Sequence, residues 1–162
     1  MFIFSNLTGA TVDRSNMQIT ITSTLTKFPG SETQYNGHSY FLSTLTPQNI
    51  NIAQQLCEMY GGYVWEVNDK AERDHVIKFV KSLDIDTREH KGFLIIGATD
   101  TVRSGKWTFR HSGGEMTYLP WASSEPDDKG TSHCIVVNVD NKYFYDVVCV
   151  VNLRRRFVCE ID

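Results

Sequence analysis

Two stretches of the chain space their apolar residues three or four positions apart, the pattern of a helix with one buried face. The first follows Thr46-Pro47, which we expect to supply the N-cap and the first helical residue, and ends at Gly61-Gly62. The second begins near Asn68-Asp69, where Asp69 and Glu72 have the spacing of a capping box. The predicted inward-facing residues are Ile52, Ala53, Leu56, Cys57 and Tyr60 in the first helix and Val76, Ile77, Val80 and Leu83 in the second.

After Lys91 the pattern changes to that of strands. The run from Gly92 to Gly97 is continuously apolar, as expected for a strand buried on both faces. Shorter runs with a period of two predict further, half-buried strands. The other predicted strands lie at 17–22, 39–43, 107–109, 135–139, 143–147 and 157–159.

The order of these elements predicts an α+β fold, because the helices precede most strands and do not alternate with them. Between Phe109 and Cys134 more than twenty residues are rich in Gly, Ser, Asp and Pro and show no periodicity. Loops of that length in a compact domain are usually functional or disordered. Trp121 and two prolines favour an ordered loop here.

Length and charge exclude several classes of protein. A chain of 162 residues predicts one domain. Its 16 Lys and Arg against 19 Asp and Glu give a net charge of -3, so we do not expect a nucleic-acid partner. We expect no membrane insertion, since no apolar run approaches ~18 residues. The sequence also contains no nucleophile elbow, phosphate loop or His-Glu-x-x-His motif, so we do not expect an enzyme.

The four cysteines are Cys57, Cys134, Cys149 and Cys159. They form no Cys-x-x-Cys pair and no histidine stands at zinc-finger spacing, which favours two disulfides over a structural metal site. Four cysteines allow three connectivities, and spacing alone does not choose among them. Because disulfides persist in oxidising compartments, we expect a secreted, extracellular protein whose signal peptide is not part of these 162 residues.

Several short motifs follow one another from the first predicted helix to the last strand. They are Cys57 with Gly61-Gly62, Glu72, Phe93-Leu94-Ile95-Ile96-Gly97, Gly105-Lys106-Trp107, the loop Trp121-Ala122-Ser123-Ser124-Glu125-Pro126-Asp127-Asp128, Cys134, Tyr145-Asp146, Cys149, and Phe157-Val158-Cys159-Glu160. In this order they resemble the C-type lectin-like domain. The resemblance covers about residues 28–162 and leaves residues 1–27 as an N-terminal extension with one predicted strand.

The resemblance implies a fold of two helices with small antiparallel sheets and a long ligand-binding loop. It implies the disulfides Cys57–Cys159 and Cys134–Cys149, and a cis bond before Pro126. The first disulfide would tie the first helix to the last strand, and the second would close the base of the loop.

The resemblance also implies a calcium ion in the loop, to which the vicinal hydroxyls of a sugar bind. Such an ion takes ~6 to 8 oxygen ligands, which carboxylates supply well. Of the implied positions, Glu125, Asp127 and Asp146 keep a carboxylate. Ser132 replaces a Glu of the family and Tyr145 replaces an Asn, so we expect a weak or incomplete calcium site. The implied carbohydrate-binding residues are Glu125, Asp127, Ser132, Tyr145 and Asp146.

A second, auxiliary calcium site maps onto four further positions, Asp100, Ser104, Asp128 and His133. Only Asp100 and Asp128 offer carboxylates, so we expect this site to be empty or weakly occupied. The loop carboxylates could instead be solvated surface charge, and Asp100 could be a turn residue.

These inferences predict a secreted carbohydrate-binding lectin that recognises glycans or sugar-bearing surfaces through a loop-bound calcium ion. The alternative is a calcium-independent lectin-like domain that binds a protein, a mineral surface or a glycan by another face; the substitutions at Ser132 and Tyr145 motivate it. At the loop site, where Glu125 and Asp127 supply two acceptors and no amide, Tyr145 could offer its hydroxyl group or its ring to a sugar. Assembly into a homo-oligomer would raise the affinity of weak single sites.

Overall fold

The computed structural model describes residues 10–13, 18–21, 31–47, 49–83, 92–101, 104–127, 130–149 and 155–162. The described elements are β1 (Ala10–Asp13), β2 (Gln18–Ile21), β3 (Glu32–Tyr35), β4 (His38–Leu42), α1 (Ile50–Glu58), β5 (Tyr63–Val64), α2 (Lys70–Ser82), β6 (Phe93–Thr99), β7 (Thr108–Phe109), β8 (Cys134–Asn138), β9 (Phe144–Val147) and β10 (Arg156–Ile161). Neither described helix has the length and apolar character needed to cross a membrane.

The sheet is organised around its last strand. β1 and β2 pair with each other, and the remaining described strands form one sheet in the order β3-β4-β10-β6-β8-β9, with β5 beside β10 and β7 beside β6. β10 is parallel to β6, whereas the other described pairs are antiparallel. The two helices and this sheet confirm the α+β class.

The start of α1 differs from the prediction. Its N-cap is Asn49, whose side-chain Oδ1 accepts a hydrogen bond from the Ile52 amide at 3.0 Å. The predicted cap at Thr46-Pro47 is therefore wrong, because Asn49 caps the helix three residues later. The shift also changes the buried face, since Ile50 is buried while Ile52 is exposed.

The start of α2 agrees with the prediction in part. The Asp69 carboxylate caps the helix by accepting from the Glu72 amide at 2.8 Å. The Glu72 side chain does not complete a capping box; it turns inward and accepts from the indole N–H of Trp65 at 2.7 Å. Its other oxygen accepts from the Asn68 amide at 3.0 Å. Glu72 thus joins the helix to the core instead of only capping it.

Two apolar clusters pack around β6, which is buried on both faces as predicted. Leu94 and Ile96 belong to the cluster that includes the buried residues of α2, and Ile95 belongs to the cluster that includes Ala53 and Cys57 of α1. This division follows from the alternation of side chains along a strand.

The strand predictions need correction in two respects. β1, β3 and β5 are not among the predicted strands. β3 pairs with β4 through a turn at Asn36-Gly37, where both residues have positive φ. The strand predicted at 143–147 is β9, which begins one residue later, at Phe144. Tyr143 is exposed, whereas Phe144 is buried against Trp121 and Tyr118, so Phe144 sets the inward face of this strand.

Two disulfides fasten the sheet. Cys57–Cys159 joins α1 to β10, and Cys134–Cys149 joins the start of β8 to the residues after β9. These are the two pairs that the resemblance implies. The first spans 102 residues, and in the chain-entropy model a loop of that length stabilises a fold by about 4 to 5 kcal/mol.

Three carboxylates lie beside β10 with little exposure: Glu66, Glu72 and Glu160. The Tyr40 hydroxyl lies 3.3 Å from Glu72 Oε1 and 3.4 Å from Glu160 Oε1, so it can donate to one of them at a time. Burial and the nearby Glu72 carboxylate raise the pKa of Glu160 to about 7. These buried polar groups tie together β4, α2 and β10.

Substitution of Gly97 by Ala should destabilise the fold strongly. A Cβ at this position would overlap the carbonyl oxygen of Val64, which is rigid backbone. We expect Gly97→Ala to lower the free energy of unfolding by about 3 kcal/mol or more, measured by urea denaturation. Gly130→Ala is the matched control, because a Cβ there meets none of the described atoms. Equal stability of the two variants would contradict the packing of residues 64–65 against β6.

Removal of the Asp74 carboxylate should weaken the fold at neutral pH and not in acid. Hydrogen bonds from Lys70, Arg73 and Lys142 hold the pKa of Asp74 well below its usual range. A depressed pKa means that the ionised group stabilises the folded state above about pH 4 and that this contribution declines as the pH falls further. We expect Asp74→Asn to cost about 1 kcal/mol at pH 7, since Lys70 and Lys142 are exposed to solvent, and less at lower pH, as measured by denaturation at several pH values. A loss independent of pH would contradict the ionic origin.

Candidate functional site

The middle of the long loop is held against β9. The amide of Ala122 donates to the Phe144 carbonyl at 3.0 Å, and the Phe144 amide donates to the Pro120 carbonyl at 2.9 Å. Between them, the Trp121 ring packs on Trp107 with a centroid distance of 5.3 Å. These contacts fix the position at which the acidic part of the loop begins.

Three carboxylates converge just beyond this anchor. Ligand atoms of Glu125, Asp127 and Asp146 all lie within 4.8 Å of one another. The Glu125-Pro126 bond is cis, as the resemblance implies. The Asp127 amide donates to Asp146 Oδ1 at 3.0 Å, which ties the loop to β9. The structure therefore brings together the three carboxylates that the resemblance implies as calcium ligands.

The electrostatics of this group favour a cation. Oε2 of Glu125 is buried and has no hydrogen-bond partner among the described residues. Burial, a hydrogen bond with Asp146 and the charge of Asp127 raise the pKa of Glu125 to about 7. Concentrated negative charge with an unpaired buried oxygen is unfavourable by itself, and a bound cation would relieve it.

The other two implied carbohydrate residues lie in different surroundings. Ser132 is buried, two residues before the disulfide-bonded Cys134. Tyr145 packs its ring edge-on against Phe93 at 5.2 Å, and its hydroxyl oxygen accepts from the Asn141 side chain at 2.8 Å. Neighbouring residues of a strand point to opposite faces, so Tyr145 and Asp146 face opposite ways. These contacts favour a packing role for Tyr145, and its contact with a sugar stays a prediction.

The auxiliary calcium residues are only partly described. Asp100 is buried and accepts from the Gly105 amide at 2.8 Å, and its other oxygen lies 2.7 Å from His133 Nδ1. One oxygen is thus engaged within the turn, which fits the alternative that Asp100 is a turn residue, and the other contacts His133 of the same implied set. Asp128 lies outside the described residues. A metal role for Asp100 and Asp128 stays a prediction.

The structure contains a second group of candidate metal-binding side chains, which the sequence does not predict. His38, Glu160 and Asp162 place ligand atoms within 4.8 Å of one another. Because His38 and Glu160 are separated by 122 positions, no local spacing motif reveals the group. Only the pairing of β4 with β10 brings these residues together.

Two mosquito proteins that are similar to this chain are C-type lectins. C-type lectin 16 of Aedes aegypti is 27% identical over 148 residues, which cover 88% of this chain and 94% of that protein. Salivary C-type lectin 2 of Aedes albopictus is 31% identical over 114 residues, which cover 67% of this chain and 74% of that protein.

A solved structure and a family model give the same classification as these relatives. The human scavenger receptor C-type lectin carbohydrate-recognition domain superposes with a TM-score of 0.65 at 21% identity, over 84% of this chain and 99% of that domain. At this identity the likeness shows the fold. The family model for the lectin C-type domain matches residues 46–161. The family is a non-enzymatic, carbohydrate-binding one. The chain therefore belongs to the C-type lectin family.

Proposed function

We propose that the protein is a secreted lectin that binds glycans through a calcium ion held by Glu125, Asp127 and Asp146. The observation that carries this proposal is the convergence of three carboxylates on an anchored loop, with one buried oxygen unpaired among the described residues. Three carboxylates offer up to six oxygens, and the backbone of the loop adds further acceptors. This donor set fits a hard divalent cation.

The chemistry at the site follows from the carboxylates themselves. A bound calcium ion supplies coordination positions for two adjacent sugar hydroxyls. Glu125 and Asp127 flank Pro126 and would each accept a hydrogen bond from such a hydroxyl, since an ionised carboxylate only accepts. Neither residue offers an amide donor, so the hydroxyl groups must donate to both. This requirement distinguishes the site from one built on one acid and one amide.

Calcium affinity should be modest. Ser132 and Tyr145 contribute no carboxylate, and three acidic side chains correspond to the weak, millimolar end of the range for protein calcium sites. A weak single site is consistent with multivalent presentation on a homo-oligomer. The two disulfides and the salivary lectins among the relatives support an extracellular location.

A second candidate function is calcium-independent recognition of a protein, a mineral surface or a glycan by another face. The observation that favours it is the position of Tyr145, whose ring and hydroxyl are engaged by Phe93 and Asn141. Because Ser132 and Tyr145 supply no carboxylate, this function has calcium bound too weakly to recruit a sugar.

Glycan-array binding separates the two functions. We expect binding to terminal sugars in millimolar calcium and its loss in excess chelator, because the sugar hydroxyls need the ion. Addition of calcium after chelation should restore the signal. Binding that persists in chelator would support the second function, and absence of glycan binding in both conditions would rule out the first.

Substitution of a carboxylate of the proposed site should weaken calcium binding without unfolding the domain. We expect Glu125→Gln and Asp146→Asn each to weaken calcium affinity at least about tenfold in isothermal titration calorimetry, since each removes one of three charged ligands. Asp140→Asn is the matched control, because Asp140 is an exposed carboxylate that pairs with Lys81 outside the group. If Glu125→Gln and Asp146→Asn bound calcium as tightly as Asp140→Asn and the unmodified protein do, the ion would lie elsewhere.

A further inference from the structure

A histidine and two carboxylates meet where β4 pairs with β10. His38 Nδ1 lies 2.9 Å from Glu160 Oε1 and 3.1 Å from Asp162 Oδ1. The pairing of Tyr40 with Glu160 and of Ser39 with Ile161 places the three side chains at the same end of the two strands. The set provides one imidazole nitrogen and two carboxylate oxygens.

The contacts at His38 leave its Nδ1 without a hydrogen bond. Nδ1 is buried, and neither carboxylate contact has the geometry of a hydrogen bond. A buried ring nitrogen beside two carboxylate oxygens thus has no donor or acceptor that satisfies it among the described residues. Ligand atoms about 2.1 Å from one tetrahedral ion lie about 3.4 Å apart. The separations of 2.9 and 3.1 Å are within about 0.5 Å of that value, so small side-chain adjustments would seat the ion.

Neighbouring groups hold the carboxylates in place. Glu160 is 1% exposed, and its Oε2 accepts from the Glu66 amide at 3.1 Å, which leaves Oε1 turned toward His38. The Tyr63 hydroxyl donates to Asp162 Oδ1 at 2.6 Å. Hydrogen bonds of this kind orient metal ligands in proteins.

The local charge also favours a cation. Two carboxylates face one imidazole, and the Glu72 carboxylate shares the Tyr40 hydroxyl with Glu160. Among the described ion pairs, none joins a lysine or an arginine to Glu72, Glu160 or Asp162. A divalent ion with a neutral imidazole would balance the two ligating carboxylates.

We propose that His38, Glu160 and Asp162 form a binding site for a divalent transition-metal ion, with Zn²⁺ as its representative. Imidazole nitrogen is a ligand for zinc, copper and nickel, whereas calcium and magnesium take oxygen ligands. Three protein ligands leave one position for water, as in open zinc sites. Asp162 is largely exposed, so the site is accessible from solvent. It uses none of the loop residues and is independent of the proposed lectin function.

Isothermal titration with ZnCl₂ in excess calcium tests this proposal. We expect the unmodified protein to bind zinc, and His38→Gln and Asp162→Asn each to weaken binding at least about tenfold. Two controls should bind zinc as the unmodified protein does: Asp127→Asn, which alters the loop group, and His133→Gln, which removes a histidine that pairs with Asp100 outside the His38 group. Circular dichroism confirms that each variant is folded.

Replacement of zinc by Co²⁺ gives a second readout, because visible absorption bands report a nitrogen- and oxygen-ligated ion. We expect these bands in the unmodified protein and their loss in Asp162→Asn. If the protein bound no zinc up to millimolar concentration, or if folded His38→Gln and Asp162→Asn variants bound it as tightly as the unmodified protein, the proposal would be wrong.

Discussion

The pairing of β10 with three other strands is the interaction on which the rest of the structure depends. Its residues bond to β4 on one side and to β5 and β6 on the other, so one strand near the end of the chain joins segments that begin as early as Glu32. Cys159 adds a covalent link from this strand to α1. Both apolar clusters contain residues of β10: Val158 belongs to one, and Phe157 and Cys159 belong to the other. Neither cluster is complete until this strand is in place.

The loop that carries the candidate calcium ligands obtains its shape from this framework. β9 lies at the edge of the sheet and binds the loop through the backbone of Phe144, while Trp121 packs on the buried Trp107. The Cys134–Cys149 disulfide closes the base of the same region. A rigid scaffold can hold like charges close together because the stability of the whole domain offsets their electrostatic repulsion. The carboxylates of Glu125, Asp127 and Asp146 are an example.

Much of the fold was predictable where local forces decide it. The spacing of apolar residues located α2 and β6, and Asp69 marked a true helix cap. The prediction failed at Thr46-Pro47, because both Thr46 and Asn49 can cap a helix and the local pattern does not rank them. It also missed β3, although Asn36-Gly37 is a strong hairpin signal. In β9, both faces carry aromatic residues, so alternation alone did not show that Phe144 faces inward.

The sequence by itself determined the class of the fold, favoured two disulfides, whose pairing only the family resemblance implied, and supplied the carboxylates Glu125, Asp127 and Asp146. These features depend on residue type and on order along the chain. Only the tertiary structure decided that Tyr145 packs on Phe93, that Asp100 meets His133, and that His38 meets Glu160 and Asp162. The physical reason is the same in each case: the direction of a side chain depends on strand register and on partners far away in the sequence, which no local pattern contains.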